Sequence, residues 1–173
     1  MKKGIGRHIL VGLLVLGLVT PGLALAGGSG KGCSLQGTWF GFDPGTGALT
    51  GWMVTVAGQA SNGGTNNLEY PVFDPTLGDN FPTAVRLSTL RGAWERTGGN
   101  TFAYSFMGIA LDSDNMPVWI GKVSGNIRLS DDCGTEAITA ELAVYFPSVS
   151  PFDGAPLFTM PLPEHYGYRY ELP

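Results

Sequence analysis

Along this chain apolar residues alternate with polar or small ones in short runs, and glycine, asparagine and proline interrupt the runs at near-regular spacing. Period-two alternation bounded by turn residues predicts β-strands, and no convincing amphipathic helical stripe is present. Strands are expected over 35–42 and 49–57, joined by the turn Asp43-Pro-Gly-Thr-Gly47, with Trp52, Val54 and Val56 sharing one face of the second. The segment "ASNGGTNN" (60–67) offers almost no side chain to bury and reads as a loop. Weaker strands follow over 68–73 and 84–90, then a hairpin of 92–97 and 101–111 across Gly98-Gly99-Asn100. A long strand over 117–129 is expected to pair with 135–146 across Ser130–Gly134. The proline-rich stretch 147–163 reads as an extended arm, and the alternating "YGYRYE" (166–171) as a closing strand.

Eight or nine short strands at this spacing predict an all-β fold, a small antiparallel up-and-down β-barrel of about eight strands, with a β-sandwich as the alternative. Trp119, Gly121, Val123, Gly125, Ile127 and Leu129 fall on one face of the long strand and are assigned to the core. Their glycines would let a coiled strand bend. Ile138, Ala140, Leu142, Val144 and Phe146 would complete the buried face from the partner strand.

The N-terminus has a different organisation. Lys2, Lys3 and Arg7 precede an apolar run from Ile9 to Val19, and Leu23-Ala-Leu-Ala26 supplies a small-x-small site. That layout predicts a secretory signal peptide over 1–26, followed by a single barrel domain over 27–173 with a Pro-rich arm at about 147–163. Lys31 and Gly32 directly before Cys33 argue against a lipid-modified cysteine. The destination is then periplasmic or extracellular. The only two cysteines, Cys33 and Cys133, are expected to form one disulfide there.

Losing Lys2, Lys3 and Arg7 reduces ten basic residues to seven against fourteen acidic ones, a net charge of −7. Such acidity, without any basic patch, excludes nucleic acid as a partner. No apolar run beyond residue 26 is long enough to cross a membrane as a helix.

Two Gly-x-Trp units carry a resemblance. Gly37-Thr-Trp39 resembles the Gly-x-Trp that opens lipocalins and other calycins, where the tryptophan plugs one end of an eight-stranded barrel. Gly92-Ala-Trp94 begins a longer block, about a quarter of the chain. It resembles small, mostly uncharacterised bacterial proteins with lipocalin-like or allene-oxide-cyclase-like barrels. The matching positions are Gly92, Trp94, Thr97, Gly98, Thr101, Phe102, Phe106, Asp112, Val123, Gly125, Leu129, Ser130 and Asp132. The resemblance implies a barrel with an apolar interior. It implies either a small-ligand binder or, as the alternative, a cofactor-free cyclase or isomerase that works by folding a reactive substrate in that interior, aided by one carboxylate.

Glu95 and Glu141 are the candidate carboxylates for the catalytic reading. Neighbouring strand residues point to opposite faces, so Glu95 and Arg96 cannot act together as a clamp. Trp94, Arg96, Phe102, Tyr104, Phe106 and Trp119 are the candidates for lining a ligand site, with a solid aromatic core as the competing reading. Tyr166, Tyr168 and Tyr170 form a stripe that either packs on the barrel wall or faces a partner.

No metal or cofactor is expected. "DSDN" (112–115) opens like a calcium loop, but Pro117 and Val123 stand where glycine and glutamate are required, so a turn built on aspartate is the better reading. His165 is the one imidazole after residue 26, and no nucleophile motif accompanies it. The expected function is non-catalytic: an exported barrel that binds a small hydrophobic ligand or serves a structural or interaction role.

Overall fold

The computed structural model describes residues 32–43, 45–58, 62–71 and 73–171; the expected signal peptide over 1–26 lies outside them. Among the described residues nine strands follow one another: β1 (Gly37–Phe42), β2 (Leu49–Ala57), β3 (Gly63–Glu69), β4 (Arg86–Leu87), β5 (Leu90–Gly98), β6 (Thr101–Leu111), β7 (Pro117–Leu129), β8 (Thr135–Tyr145) and β9 (Phe158–Arg169). Eight of them pair antiparallel in the cyclic order β1-β2-β3-β5-β6-β7-β8-β9, and β9 returns to β1 through Trp39↔Arg169 to Phe42↔Tyr166. The sheet is therefore a closed up-and-down barrel. The short β4 lies outside the cycle and extends the β5 side of β6, Arg86 opposite Leu111 and Leu87 opposite Ala110.

Alternation decides what fills the barrel. On β6, Phe102, Tyr104, Phe106, Gly108 and Ala110 point inward; on β7 the expected face from Trp119 to Leu129 does so. Inward glycines stand opposite inward aromatics, Gly92 against Phe106 and Gly125 against Tyr104. A methyl at Gly125 would collide with the Thr139 carbonyl, and one at Gly92 with that of Ser105. Only glycine permits adjacent strands to coil this closely around large rings.

Four expectations change. The supposed loop 60–67 gives way to β3 from Gly63 onward, because Asn66 and Leu68 alternate inward and Gly64 makes room beside Trp94. Of the weak strand 84–90 only Arg86–Leu87 (β4) and Leu90, where β5 begins, are in strands. The arm over 147–163 divides, and Phe158–Pro163 forms the first half of β9. Prolines are tolerated there because β9 pairs with β1 only over Tyr166–Arg169, which leaves one side of its first half without ladder bonds. Phe146, assigned to the buried face, lies past the end of β8 and is exposed.

The two ends of the barrel differ. One end is closed by the segment after Gly32, in which Cys33 and Leu35 are buried. Asn100 Oδ1 accepts from the Cys33 amide at 2.9 Å, and the Trp39 indole donates to the Leu35 carbonyl at 2.9 Å. Arg96 donates to the carbonyls of Cys33 and Gly99, and Arg169 to that of Ser34. Each guanidinium also covers a ring, Arg96 over Phe102 and Arg169 over Trp39, both 4.6 Å from the centroid. The Cys33–Cys133 disulfide ties this plug to the β7–β8 turn, with the two Cα atoms 5.3 Å apart. The opposite end lies under the 73–85 loop, where Phe73 and Phe81 pack on Trp119 and the Trp119 indole donates to the Pro75 carbonyl at 2.8 Å.

Candidate functional site

Two adjoining chambers occupy the interior between these ends. The larger, about 160 Å³, lies beneath the 73–85 loop, with Phe73, Leu87, Leu90, Trp119 and Leu142 among its walls. Gly108 and Gly121 stand opposite each other there and contribute no side chain. The smaller, about 60 Å³, lies deeper, toward the closed end; its walls include Trp39, Tyr104, Phe106, Ile127 and Glu136. Leu68, Tyr70, Val123, Leu162 and His165 line both. Tyr70 and His165 meet edge to face, ring centroids 5.9 Å apart.

Glu136 is the acidic side chain of the deep chamber. Alternation along β8 places it on the same inward face as Ile138, Ala140, Leu142 and Val144, and its partner across the ladder is Gly167. A β-carbon at position 167 would lie 2.8 Å from Cγ and 2.9 Å from Cδ of Glu136, so the glycine is what leaves space for the carboxyl. Glu136 is 3 % exposed, and its Oε2 has no hydrogen-bond partner among the described residues. Burial pushes its carboxyl up to about 8, opposed by the charge of Arg169. At neutral pH it is therefore an uncharged acid, able to donate. Burial also raises the phenol of Tyr70, and raises that of Tyr104, with the charges of Tyr70 and Glu136 adding to the second. Both phenols keep their protons.

The candidate residues separate into three groups. Tyr104 and Phe106 line the deep chamber, and Trp119 lines the outer one. Trp94, Arg96 and Phe102 belong to the closed end: Trp94 and Phe102 pack edge to face at 5.6 Å, and the Arg96 guanidinium covers the Phe102 ring. Glu95 and Glu141 are exposed on the outer face and line neither chamber. Of the pair in "WERT", it is Arg96 that shares the inward face with Trp94.

Sequence reasoning missed Glu136; the signal that could have found it is its place two residues before Ile138, on the buried face of that strand. Tyr70 and His165 carry no such signal, since each follows a segment whose pairing local pattern does not reveal.

Asp112 Oδ1 accepts from the amides of Asp114 and Met116 at 2.9 and 2.8 Å, the turn expected of "DSDN". Among the described residues no cluster of three or more His, Cys, Asp or Glu side chains is placed to hold a metal ion.

The outer wall carries a second feature. Tyr166, Tyr168 and Tyr170 project outward and are exposed, Tyr168 edge to face with Phe42 at 5.7 Å and Tyr170 with Phe40 at 5.9 Å. The stripe thus stacks on β1 rings and remains open to solvent. No protein family, curated protein sequence or solved structure matches this chain, so its chemistry is read from the barrel interior itself.

Proposed function

We propose that this is an exported, calycin-like β-barrel that binds a small hydrophobic ligand in its interior, without catalysis. The observation that carries the reading is the pair of adjoining chambers, apolar on nearly every wall and closed at one end by a braced plug. Apolar cavities of about 150 Å³ stay dry and accept a single aromatic ring, and the outer chamber is of that size. The disulfide supports export, since such bonds persist in oxidising compartments.

Size limits both the ligand and its affinity. A compound of roughly ten non-hydrogen atoms buries about 250 Å² of its own surface, worth about 6 kcal/mol before association costs. Dissociation constants are then expected from tens of micromolar to millimolar. A long-chain lipid does not fit this volume.

The test is a titration by two-dimensional NMR with α-methylstyrene. The amides of Gly108 and Gly121 and the indole of Trp119 should shift saturably. In a Val123→Trp variant, which fills the wall common to both chambers, the shifts should disappear while the fold persists. Absence of any saturable shift up to the solubility of the probe rejects the proposal.

A further inference from the structure

We propose that Glu136 anchors the ligand, donating a hydrogen bond from its carboxylic acid to the oxygen of a small neutral carbonyl compound (a ketone, aldehyde or ester) whose apolar body lies in the deep chamber and against the wall it shares with the outer one. This rests on the reading of the interior as a ligand site and names the class of ligand that the site takes.

The first support is a missing partner. A polar atom buried without a hydrogen bond is costly, and natural interiors seldom leave one. Five buried side-chain atoms lack a partner among the described residues, on Asn66, Trp94, Glu136 and Arg169, and Glu136 is the one of these four residues that lines a chamber. A structural acid would be expected to meet a fixed donor or a tight ion pair. Instead the opposing strand presents Gly167, which makes room for the carboxyl and satisfies nothing.

The surrounding groups select the ligand class. Arg169 acts on Glu136 from β9 and is the cation nearest in effect. His165 lines the chamber from the same strand, Tyr104 from β6, and Tyr70 from the segment after β3. From β1, β2 and β7 the chamber receives Trp39, Gly41, Thr50, Gly51, Trp52, Met53, Val123 and Ile127, none of which titrates. A cationic ligand would have to ionise Glu136 beside an existing arginine. An anionic one would bury its charge among phenols and aromatic faces, while Arg169, over Trp39 and bonded to the Ser34 carbonyl, lines neither chamber and leaves only its buried Nε without a partner. A neutral acceptor needs neither. It uses the protonated form that burial already favours up to about pH 8.

Acetophenone and α-methylstyrene are an isosteric pair, differing by an oxygen in place of a methylene. Their affinities are measured by NMR titration of the wild type, Glu136→Leu and Glu136→Gln, at about pH 6.5 and about pH 9.5. Glu136→Leu should weaken acetophenone about tenfold and change α-methylstyrene by less than about twofold. Glu136→Gln, whose amide still donates, should retain most of the ketone affinity. In the wild type the ketone should bind more weakly at the higher pH, where the donated proton is lost; in Glu136→Gln it should not. His165 and both tyrosines remain in that variant, so the difference isolates Glu136.

If both probes respond alike to the variants and to pH, the anchoring role is rejected and the ligand site stands. If neither probe binds, the ligand site falls and the anchor with it. Should Glu136→Leu fail to fold, the pH comparison between wild type and Glu136→Gln decides.

Discussion

Glu136 should set the pH dependence of folding stability above pH 5. In the unfolded chain its carboxyl titrates near the ordinary value of 4.5; in the barrel, burial pushes it up to about 8. Between those limits the folded protein holds a proton that the unfolded chain has released. Stability then falls as pH rises, tenfold in the folding constant for each pH unit. Its contribution is fully present below pH 4.5 and lost by about pH 8, a total of about 5 kcal/mol. Asp43, Asp74 and Asp132 shift the other way, lowered mainly by side-chain hydrogen bonds from Thr46, Thr76 and Ser130. Their contributions are lost only as pH falls below the ordinary carboxylate range, outside this window. Glu136→Gln keeps the shape and cannot ionise, so its profile should be nearly flat where the wild type declines. Urea unfolding followed by tryptophan fluorescence at half-unit steps from about pH 5 to about pH 9 measures both. The variant should match the wild type near pH 5 and exceed it by several kcal/mol near pH 9. Parallel profiles would refute the assignment of a neutral, buried acid.

Three further outcomes follow from the geometry. Replacing Cys33 and Cys133 by serine frees a loop of 100 positions and should cost up to about 5 kcal/mol, read as a lower urea midpoint with a steeper slope, since the released unfolded chain expands. Gly125→Ala drives a methyl into the Thr139 carbonyl and should destabilise by about 2 kcal/mol or more, whereas Gly98→Ala meets nothing and should lie within about 0.5 kcal/mol of wild type in the same assay. Arg96→Met retains a long apolar stem but loses the bonds to Cys33 and Gly99; a cost of about 2 kcal/mol is expected, with faster amide exchange at Cys33 and Leu35.

Local pattern was sufficient where a strand runs regularly with one face buried. The ranges 49–57, 101–111 and 117–129 match β2, β6 and β7, and the inward face of β7 follows from alternation alone. Pattern failed where composition opposed pairing. "GGTNN" looks like a loop because glycine and asparagine are poor strand formers, yet close packing against Trp94 requires Gly64. The prolines at 161 and 163 look like strand breakers, yet the unpaired side of β9 accommodates them.

The sequence by itself determined the all-β alternation, the cysteine pair that the barrel joins, and the inward parity of Glu136. Each depends only on the two-residue period of a strand or on residue chemistry. Tertiary structure alone decided that Arg96 closes an end rather than lining a pocket, that Tyr70 and His165 meet across the interior, and that Glu136 lacks a partner. Those facts depend on register between strands distant in the chain: opposing Gly167 to Glu136 sets a glycine from the closing strand against a residue 31 positions earlier. No local pattern encodes that pairing, because it follows from closing the whole barrel.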